Sequence, residues 1–180
     1  MSESTKPAYE AALIVVVPEV ESLVAPFRAK YVPPVSLDIP AHITINYPFL
    51  PGASTGGAPE AKLRALFRRF RSFDFTLANT ARWPGVVYLA VNPREPFTAM
   101  IDEVAREFSE SPPYGGAFSP VTPHLTVIWV EDSIVFEQAA ADFESAARLR
   151  LPIACRVEDV WLIDNREGRW EKRLCLPLSP

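Results

Sequence analysis

Both histidines of the chain, His42 and His124, occur in the same short pattern: His, an apolar residue, Thr and a second apolar residue. The first copy reads HITI, the second reads HLTV, and each lies in an apolar run. Successive side chains of a β-strand point to opposite faces. Each pattern therefore predicts an imidazole beside a hydroxyl on one face of a strand, with Thr44 and Thr126 carrying the hydroxyls.

Two imidazoles that share a groove can perform acid–base chemistry at a phosphodiester. A neutral imidazole accepts a proton from water or from a sugar hydroxyl, and a charged one donates a proton to the departing oxygen. With an unperturbed pKa near 6.5, histidine populates both forms near neutral pH, so acid and base coexist without a metal ion. The threonine hydroxyls can bind the non-bridging phosphate oxygens. The pattern leaves open which histidine is the acid.

The same alternation predicts which strand face each side chain near the motifs occupies. Asn46 is expected to continue the face of Thr44 and to bind the substrate, whereas Tyr47 and Trp129 are expected on the opposite face, in the core. Four other residues lie in or next to loops: Arg82, Trp83, Tyr88 and Tyr114. An aromatic ring there could stack on a base, although core packing or loop anchoring is the favoured interpretation for each.

The paired motifs, about eighty residues apart in a chain of 180 residues, resemble those of the two-histidine (2H, HxTx) phosphoesterase superfamily. The closest resemblance is to the 2′-5′ RNA ligase-like proteins of bacteria and archaea, and it covers essentially the whole chain. It implies a bilobal fold with a central groove. It also implies metal-independent work on 2′,3′-cyclic phosphates or 2′-5′ linkages, with ligation as the reverse reaction. His42 and His124 would then be catalytic, and Thr44 and Thr126 would hold the phosphate.

The chain departs from the ligase branch in charge. Members of that branch often carry a basic residue shortly after each motif, where this sequence has Asn46 and Tyr47 in the first copy and Ile128 and Trp129 in the second. The net charge is −4, so a broad electrostatic surface for nucleic acid is not expected. These features favour a small cyclic nucleotide or an RNA end over a long RNA.

Several alternatives stay open at this point. The groove of a binding module would hold a nucleotide or RNA end without turnover, and a duplicated scaffold would bind a protein partner. A metal site would need Asp38, Glu131 or Asp132 beside the histidines, but these acids lack the tight spacing of metal motifs. Serine-hydrolase, P-loop and dinucleotide motifs are absent from the sequence, so we expect no cofactor.

The remaining sequence predicts the elements that position the motifs. The apolar run at 11–18 indicates a buried strand, and Pro26 is expected to kink or end the helix that follows. The halves 8–82 and 83–180 each read strand, helix, His-Thr strand, helix, strand, and a hairpin about NREG closes the chain. We expect one bilobal α+β unit over 1–180, with two pseudo-symmetric lobes, each a mainly antiparallel sheet covered by helices, and an active groove between them.

The bulk composition is that of a folded protein. Hydrophobic residues make up 48% and charged residues 22% of the chain, which is typical of a packed core. No apolar run approaches the ~20 residues that span a bilayer, and the polar start lacks the apolar centre of a signal peptide. We expect a cytoplasmic monomer that does not bind membranes. In that compartment, Cys155 and Cys175 are expected to be buried thiols.

Overall fold

The structure is a computed structural model that describes residues 9–34, 38–54 and 56–180. Its strands and helices follow in chain order: β1 Ala11–Val16, α1 Glu21–Tyr31, β2 His42–Phe49, α2 Gly57–Phe67, β3 Phe73–Trp83, β4 Val86–Asn92, α3 Glu95–Glu107, β5 His124–Trp129, α4 Ser133–Arg148, β6 Ile153–Val157, β7 Asp159–Asp164 and β8 Glu171–Pro177. Short 3₁₀ turns occupy Pro18–Val20 and Pro113–Gly116. The predicted order of elements is confirmed, and each histidine begins its strand.

The strands form two four-stranded sheets in the orders β2-β1-β7-β8 and β5-β4-β3-β6. Every strand pair within these sheets is antiparallel. The α+β class and the two antiparallel sheets predicted from the sequence are therefore confirmed. Each motif strand, β2 or β5, lies at the edge of its own sheet.

The two sheets do not divide the chain at residue 82. Strand β3 continues through the turn Pro84–Gly85 into β4 and pairs with it, because a tight turn brings consecutive strands side by side. Gly85 has φ 73, and a Cβ atom there would lie 2.8 Å from the carbonyl oxygen of Val130, so the turn needs glycine. The hairpin of β7 and β8 returns to pair with β1. Each sheet thus combines strands from both halves of the sequence.

The helical stripes predicted from periodicity are buried in one large core between sheets and helices. Helix α3 buries Phe97, Met100, Ile101 and Val104, and α4 buries Phe136, Ala139, Ala140, Phe143 and Ala147. Helix α1 runs past Pro26 to Tyr31, so the early end is not found. Pro26 lies in the middle of the helix and lacks an N–H group, so it removes one hydrogen bond of the helix without ending it. This helix also buries Arg28, which is 5% exposed.

The two cysteines are free thiols in different surroundings. Cys155 is buried, as predicted, and burial raises the pKa of its thiol to about 12. Cys175 is partly exposed at the surface of β8, so its predicted burial is only partial. Across the described ranges, every helix is too short or too polar to cross a membrane.

Candidate active site

The two motif strands meet although they belong to different sheets. Strands β2 and β5 contact each other, and the positive charge of protonated His124 lowers the pKa of His42. The four motif side chains His42, Thr44, His124 and Thr126 are all half-buried, while the apolar residues between them are fully buried. The faces of the two strands that were predicted to carry the polar groups therefore come together.

Both imidazoles are held in the same way. The Nδ1 atom of His42 lies 2.7 Å from the carbonyl oxygen of Pro40, and Nδ1 of His124 lies 2.8 Å from that of Thr122. A carbonyl oxygen can only accept, so Nδ1 carries the proton and donates in both rings. This leaves Nε2 of each neutral imidazole as the proton acceptor. The backbone two residues before each histidine thus fixes its ring and its tautomer.

The two histidines differ in their electrostatic surroundings. Burial lowers the pKa of His42 to about 4, with further lowering by the charges of Arg28 and His124, and the bond to Pro40 only partly offsets this. Burial also lowers the pKa of His124, partly offset by its bond to Thr122. Because Arg28 acts on His42 alone, His124 is the easier of the two to protonate.

Aromatic rings cover His124. The indole of Trp83 lies 4.6 Å from the imidazole between ring centroids, and the ring of Tyr88 lies at 5.4 Å, both edge to face. Trp83 and Tyr88 also pack on each other at 4.2 Å. Trp83 is 38% exposed, so one side of this aromatic wall is open to solvent. Of the residues considered for base stacking, these two lie beside a motif histidine.

Arg82, in contrast, is engaged away from the motif. Its guanidinium forms ion pairs with Glu137 and Glu144 on α4, at 2.9 and 2.6 Å.

The acidic residues considered as metal ligands include Asp132, which caps α4 by accepting hydrogen bonds from the backbone N–H groups of Ile134 and Val135. In the part of the chain that the structure describes, no group of three or more His, Cys, Asp or Glu is placed to hold a metal ion.

A β-bulge follows each motif threonine. The register of β2 on β1 passes over Ile45, and the register of β5 on β4 passes over Val127. An extra residue inverts the alternation of faces beyond it. Asn46 therefore does not continue the face of Thr44: it is 0% exposed and its amide nitrogen donates to the carbonyl oxygen of Ser111 at 3.0 Å. The prediction that Asn46 lines the groove is wrong for this reason.

The bulges also change the positions of the two aromatic residues that were expected in the core. Tyr47 is partly exposed, packs against Trp170 with ring centroids 6.3 Å apart, and its phenol donates to Glu10 at 3.0 Å. Trp129 is 53% exposed at the end of β5. Both predictions assumed regular strands, and the extra residue in each strand displaces both side chains from the main core.

Two neighbours of the motifs make contacts that were not predicted: Arg28 was not considered for the site, and Tyr114 was considered only as a residue that could stack on a base. Arg28 lies close enough to affect His42, and Val20, Val24 and Arg28 follow one helical stripe at intervals of four residues, which could have indicated its burial. The turn that carries Tyr114 contacts β2, and burial raises the pKa of the Tyr114 phenol while Thr44 slightly lowers it, so the two side chains are neighbours. Tyr114 comes from a loop far along the chain, so periodicity carries no signal for this contact.

Comparisons with known proteins agree with this architecture. Residues 16–169 match the family model of the 2′-5′ RNA ligase superfamily. The chain belongs to this superfamily, and the resemblance inferred from the paired motifs is confirmed. No significant match is found among curated proteins.

Solved structures share the fold at low sequence identity. E. coli LigT complexed with NADP⁺ is 18% identical with a TM-score of 0.59, covering 95% of this chain and 98% of LigT. LigT complexed with 3′-AMP is 16% identical at a TM-score of 0.58, with the same coverage. TT0787 of Thermus thermophilus is 17% identical at 0.55, covering 93% of this chain and 97% of TT0787. Family and fold together support a phosphodiesterase-type function.

Proposed function

We propose that this protein is a metal-independent phosphodiesterase that acts on 2′,3′-cyclic phosphates or 2′-5′-linked nucleotides and RNA ends, with ligation as the reverse reaction. One observation carries the proposal: two imidazoles on contacting edge strands, each fixed through Nδ1 to the carbonyl oxygen two residues earlier. This arrangement offers two Nε2 atoms to one ligand. A general acid and a general base are what phosphodiester cleavage requires.

In this mechanism His42 is the general base and His124 the general acid. His42 is kept neutral by burial and by the charge of Arg28, so its Nε2 can accept the proton of the attacking water. The water oxygen bonds to phosphorus, the bond to one ribose oxygen breaks, and the imidazolium of His124 donates its proton to that oxygen. An anionic phosphate bound nearby favours this imidazolium. Hydrolysis of a cyclic phosphate then yields a nucleoside monophosphate.

The hydroxyls of Thr44 and Thr126 bind the non-bridging phosphate oxygens in this proposal. Each lies two residues after its histidine on the same half-buried strand face, which orients the phosphate toward both imidazoles. Asn46 takes no part in binding because it is fully buried. Its place in the proposal is to hold the backbone at Ser111.

A nucleotide-sized substrate fits the charge of the chain. The net charge of −4 disfavours a long RNA, whose binding relies on many cationic contacts. The solved complexes of E. coli LigT contain NADP⁺ or 3′-AMP, and we infer a ligand of the same class here. The half-exposed ring of Trp83 beside His124 offers a surface on which a base can stack.

A second candidate is a nucleotide- or RNA-end-binding module without turnover. The lowered pKa of both histidines favours it, because the free protein then carries two neutral imidazoles near neutral pH and lacks the acid. The two candidates differ in whether a bound phosphate restores the imidazolium. A measurement of turnover distinguishes the two candidates, whereas a measurement of binding does not.

The test measures hydrolysis of the four 2′,3′-cyclic nucleotides and of 2′-5′-linked dinucleotides with a chelator present. The parent should turn over at least one of them, and His42→Ala and His124→Ala should each lower kcat by about 10²- to 10⁴-fold. Thr44→Val and Thr126→Val should also lower it, with Thr98→Val on α3 as the matched control. Equal turnover by the parent and the histidine variants would remove the proposal. Tight nucleotide binding without turnover would establish the binding module.

A further inference from the structure

The backbone of Tyr114 adopts a conformation that tyrosine rarely takes. Its φ is 52°, and among the residues that the structure describes it is the one non-glycine with a positive φ. Gly115 and Gly116 follow with φ 62° and 79°, so the chain makes a left-handed turn at this point. The left-handed conformation is unfavourable for a residue with a Cβ atom, which crowds the carbonyl oxygen that follows. Such a residue persists where the surrounding structure holds it in place.

The turn packs against β2, and one buried hydrogen bond joins the two segments. The amide of Asn46 donates to the carbonyl oxygen of Ser111 at 3.0 Å, in the protein interior. Pro113, within the turn, is buried. The ring of Tyr114 packs edge to face on Phe118, with centroids 5.6 Å apart. The left-handed turn is therefore tied to the strand that carries the first motif.

The phenol of Tyr114 ends at the first motif. The turn as a whole contacts β2, and Thr44 acts on the pKa of the phenol through a hydrogen-bonding interaction, so the two hydroxyls are neighbours. Burial raises the pKa of the phenol, with a smaller opposing effect from Thr44, so the phenol stays protonated near neutral pH. A protonated phenol can donate a hydrogen bond. Thr44 and Tyr114 thus bring two O–H donors to one place.

We propose that the hydroxyl of Tyr114 binds a phosphate oxygen of the substrate together with Thr44, an inference that rests on the proposed function for the identity of the substrate. Each hydroxyl donates to the anionic oxygen in place of their mutual contact. A donor aimed at a charged oxygen in a half-buried site stabilises it more than water does. The strained turn then has a function, because it delivers the phenol to a strand that lies far away in sequence.

The pairing of Tyr114 with Thr44 also makes the groove asymmetric. At the second motif, the residue paired with Thr126 across the sheet is Tyr88, and its ring packs on His124 and Trp83. A tyrosine at the first motif therefore offers its hydroxyl beside Thr44, while the tyrosine at the second offers its ring beside the imidazole. The phosphate is held more strongly on the side of His42, and the base is directed toward Trp83.

The test uses Tyr114→Phe, which removes the hydroxyl and keeps the ring on Phe118. Binding of 3′-AMP and of inorganic phosphate is measured by calorimetry, and hydrolysis of 2′,3′-cyclic nucleotides is measured alongside. We expect binding of both ligands and kcat/KM to fall by about 10- to 100-fold, as for a lost hydrogen bond to a charged group. Tyr9→Phe, just before β1, is the matched control and should behave as the parent. Tyr114→Asn, which tolerates a positive φ, should show the same loss without backbone strain.

The outcomes separate this inference from the proposed function. Weaker phosphate binding in Tyr114→Phe without turnover by the parent would support the phenol as a ligand and remove the phosphodiesterase. Turnover by the parent with unchanged binding and kcat/KM in Tyr114→Phe would overturn the inference and keep the enzyme. A parent that binds neither 3′-AMP nor phosphate would overturn the inference as well. Melting temperatures of all variants show whether a loss reflects misfolding.

Discussion

The indole of Trp83 and the imidazole of His124 meet edge to face, with ring centroids 4.6 Å apart and ring planes at 77°. Trp83 ends β3, and His124 begins β5, two strands away in the same sheet. The indole covers one side of the imidazole, so it contributes to the burial that lowers the pKa of His124. This contact links the aromatic wall of the groove to the protonation of the proposed acid.

Trp83→Ala should therefore raise the pKa of His124 toward its ordinary value, because the imidazolium becomes better hydrated. The chain contains only two histidines, so an NMR titration of the ring protons resolves both without ambiguity. Trp129→Ala, which removes an exposed indole from the end of β5, is the control and should leave His124 unchanged. A His124 pKa that stays in place or falls in Trp83→Ala would contradict the covering role of the indole.

Arg28→Met should raise the pKa of His42 above its value of about 4. The guanidinium is buried, donates to the carbonyl oxygen of Ile39 at 2.8 Å, and disfavours the imidazolium through its charge. Burial of His42 is the larger cause, so its pKa should remain below the ordinary value in the variant. NMR titration gives the shift, and the acidic limb of the kcat/KM profile should move in the same direction. Lys30→Met, an exposed cation on the same helix, should have no effect on His42.

The stability of the folded protein should fall as the pH drops from neutral to about 4.5. Both histidines have a lowered pKa in the folded state and one near 6.5 in the unfolded chain. The unfolded chain then binds more protons in this window, so acid favours unfolding. For His42, with a folded pKa of about 4, the loss over this window is about 2 kcal/mol. Urea unfolding at several pH values measures it.

His42→Gln provides the control for this dependence, because glutamine does not titrate. The variant should lose less stability than the parent over the same window. Burial raises the pKa of Asp164, but its bonds to Arg166 and Arg173 outweigh this and leave the pKa lowered, so Asp164 adds acid sensitivity only below its ordinary value of 3.8. An equal slope in the parent and in His42→Gln would show that His42 is not buried in its neutral form.

Asn46→Ala should lower the free energy of unfolding by about 1–3 kcal/mol, because it leaves the buried carbonyl of Ser111 without its donor. It should also weaken phosphate binding, since the turn that carries Tyr114 loses its tie to β2. Denaturant unfolding and calorimetry measure the two effects. Asn79→Ala, at an exposed position on β3, is the matched control. Full stability in Asn46→Ala would mean that the buried amide contributes nothing to holding the turn.

Local patterns in the sequence predicted the elements and the faces of the motifs. The stripe of α3 and the pairing of each histidine with a threonine depend on the spacing of neighbours within one element, so periodicity is sufficient to find them. The duplicated order of elements was predicted for the same reason. The bulges at Ile45 and Val127 depend on the partner strand, so the positions of Asn46 and Trp129 could not be read from alternation.

Contacts between distant segments could not be predicted from the sequence either. The charge of Arg28 acts on His42 because α1 is bonded to the segment just before β2, through Arg28 to Ile39 and through Glu21 to Ala41. Tyr114 comes near Thr44 because its left-handed turn packs against β2. The exchange of strands between the halves depends on the turn Pro84–Gly85, which pairs β3 with β4, and on the hairpin of β7 and β8, which returns to β1. Each of these features is set by packing between elements, which local periodicity does not describe.

The order in which the strands enter the sheets has a consequence for synthesis on the ribosome. All four strands of the sheet that carries His124 lie between Phe73 and Val157, so all of them are synthesised before β7 and β8. The sheet that carries His42 must wait for the hairpin of β7 and β8, which comes afterwards. Until then β1 presents an open edge to other nascent chains. The lobe that is begun first is the one finished last, so the two imidazoles share a complete framework only after β7 and β8 have joined β1.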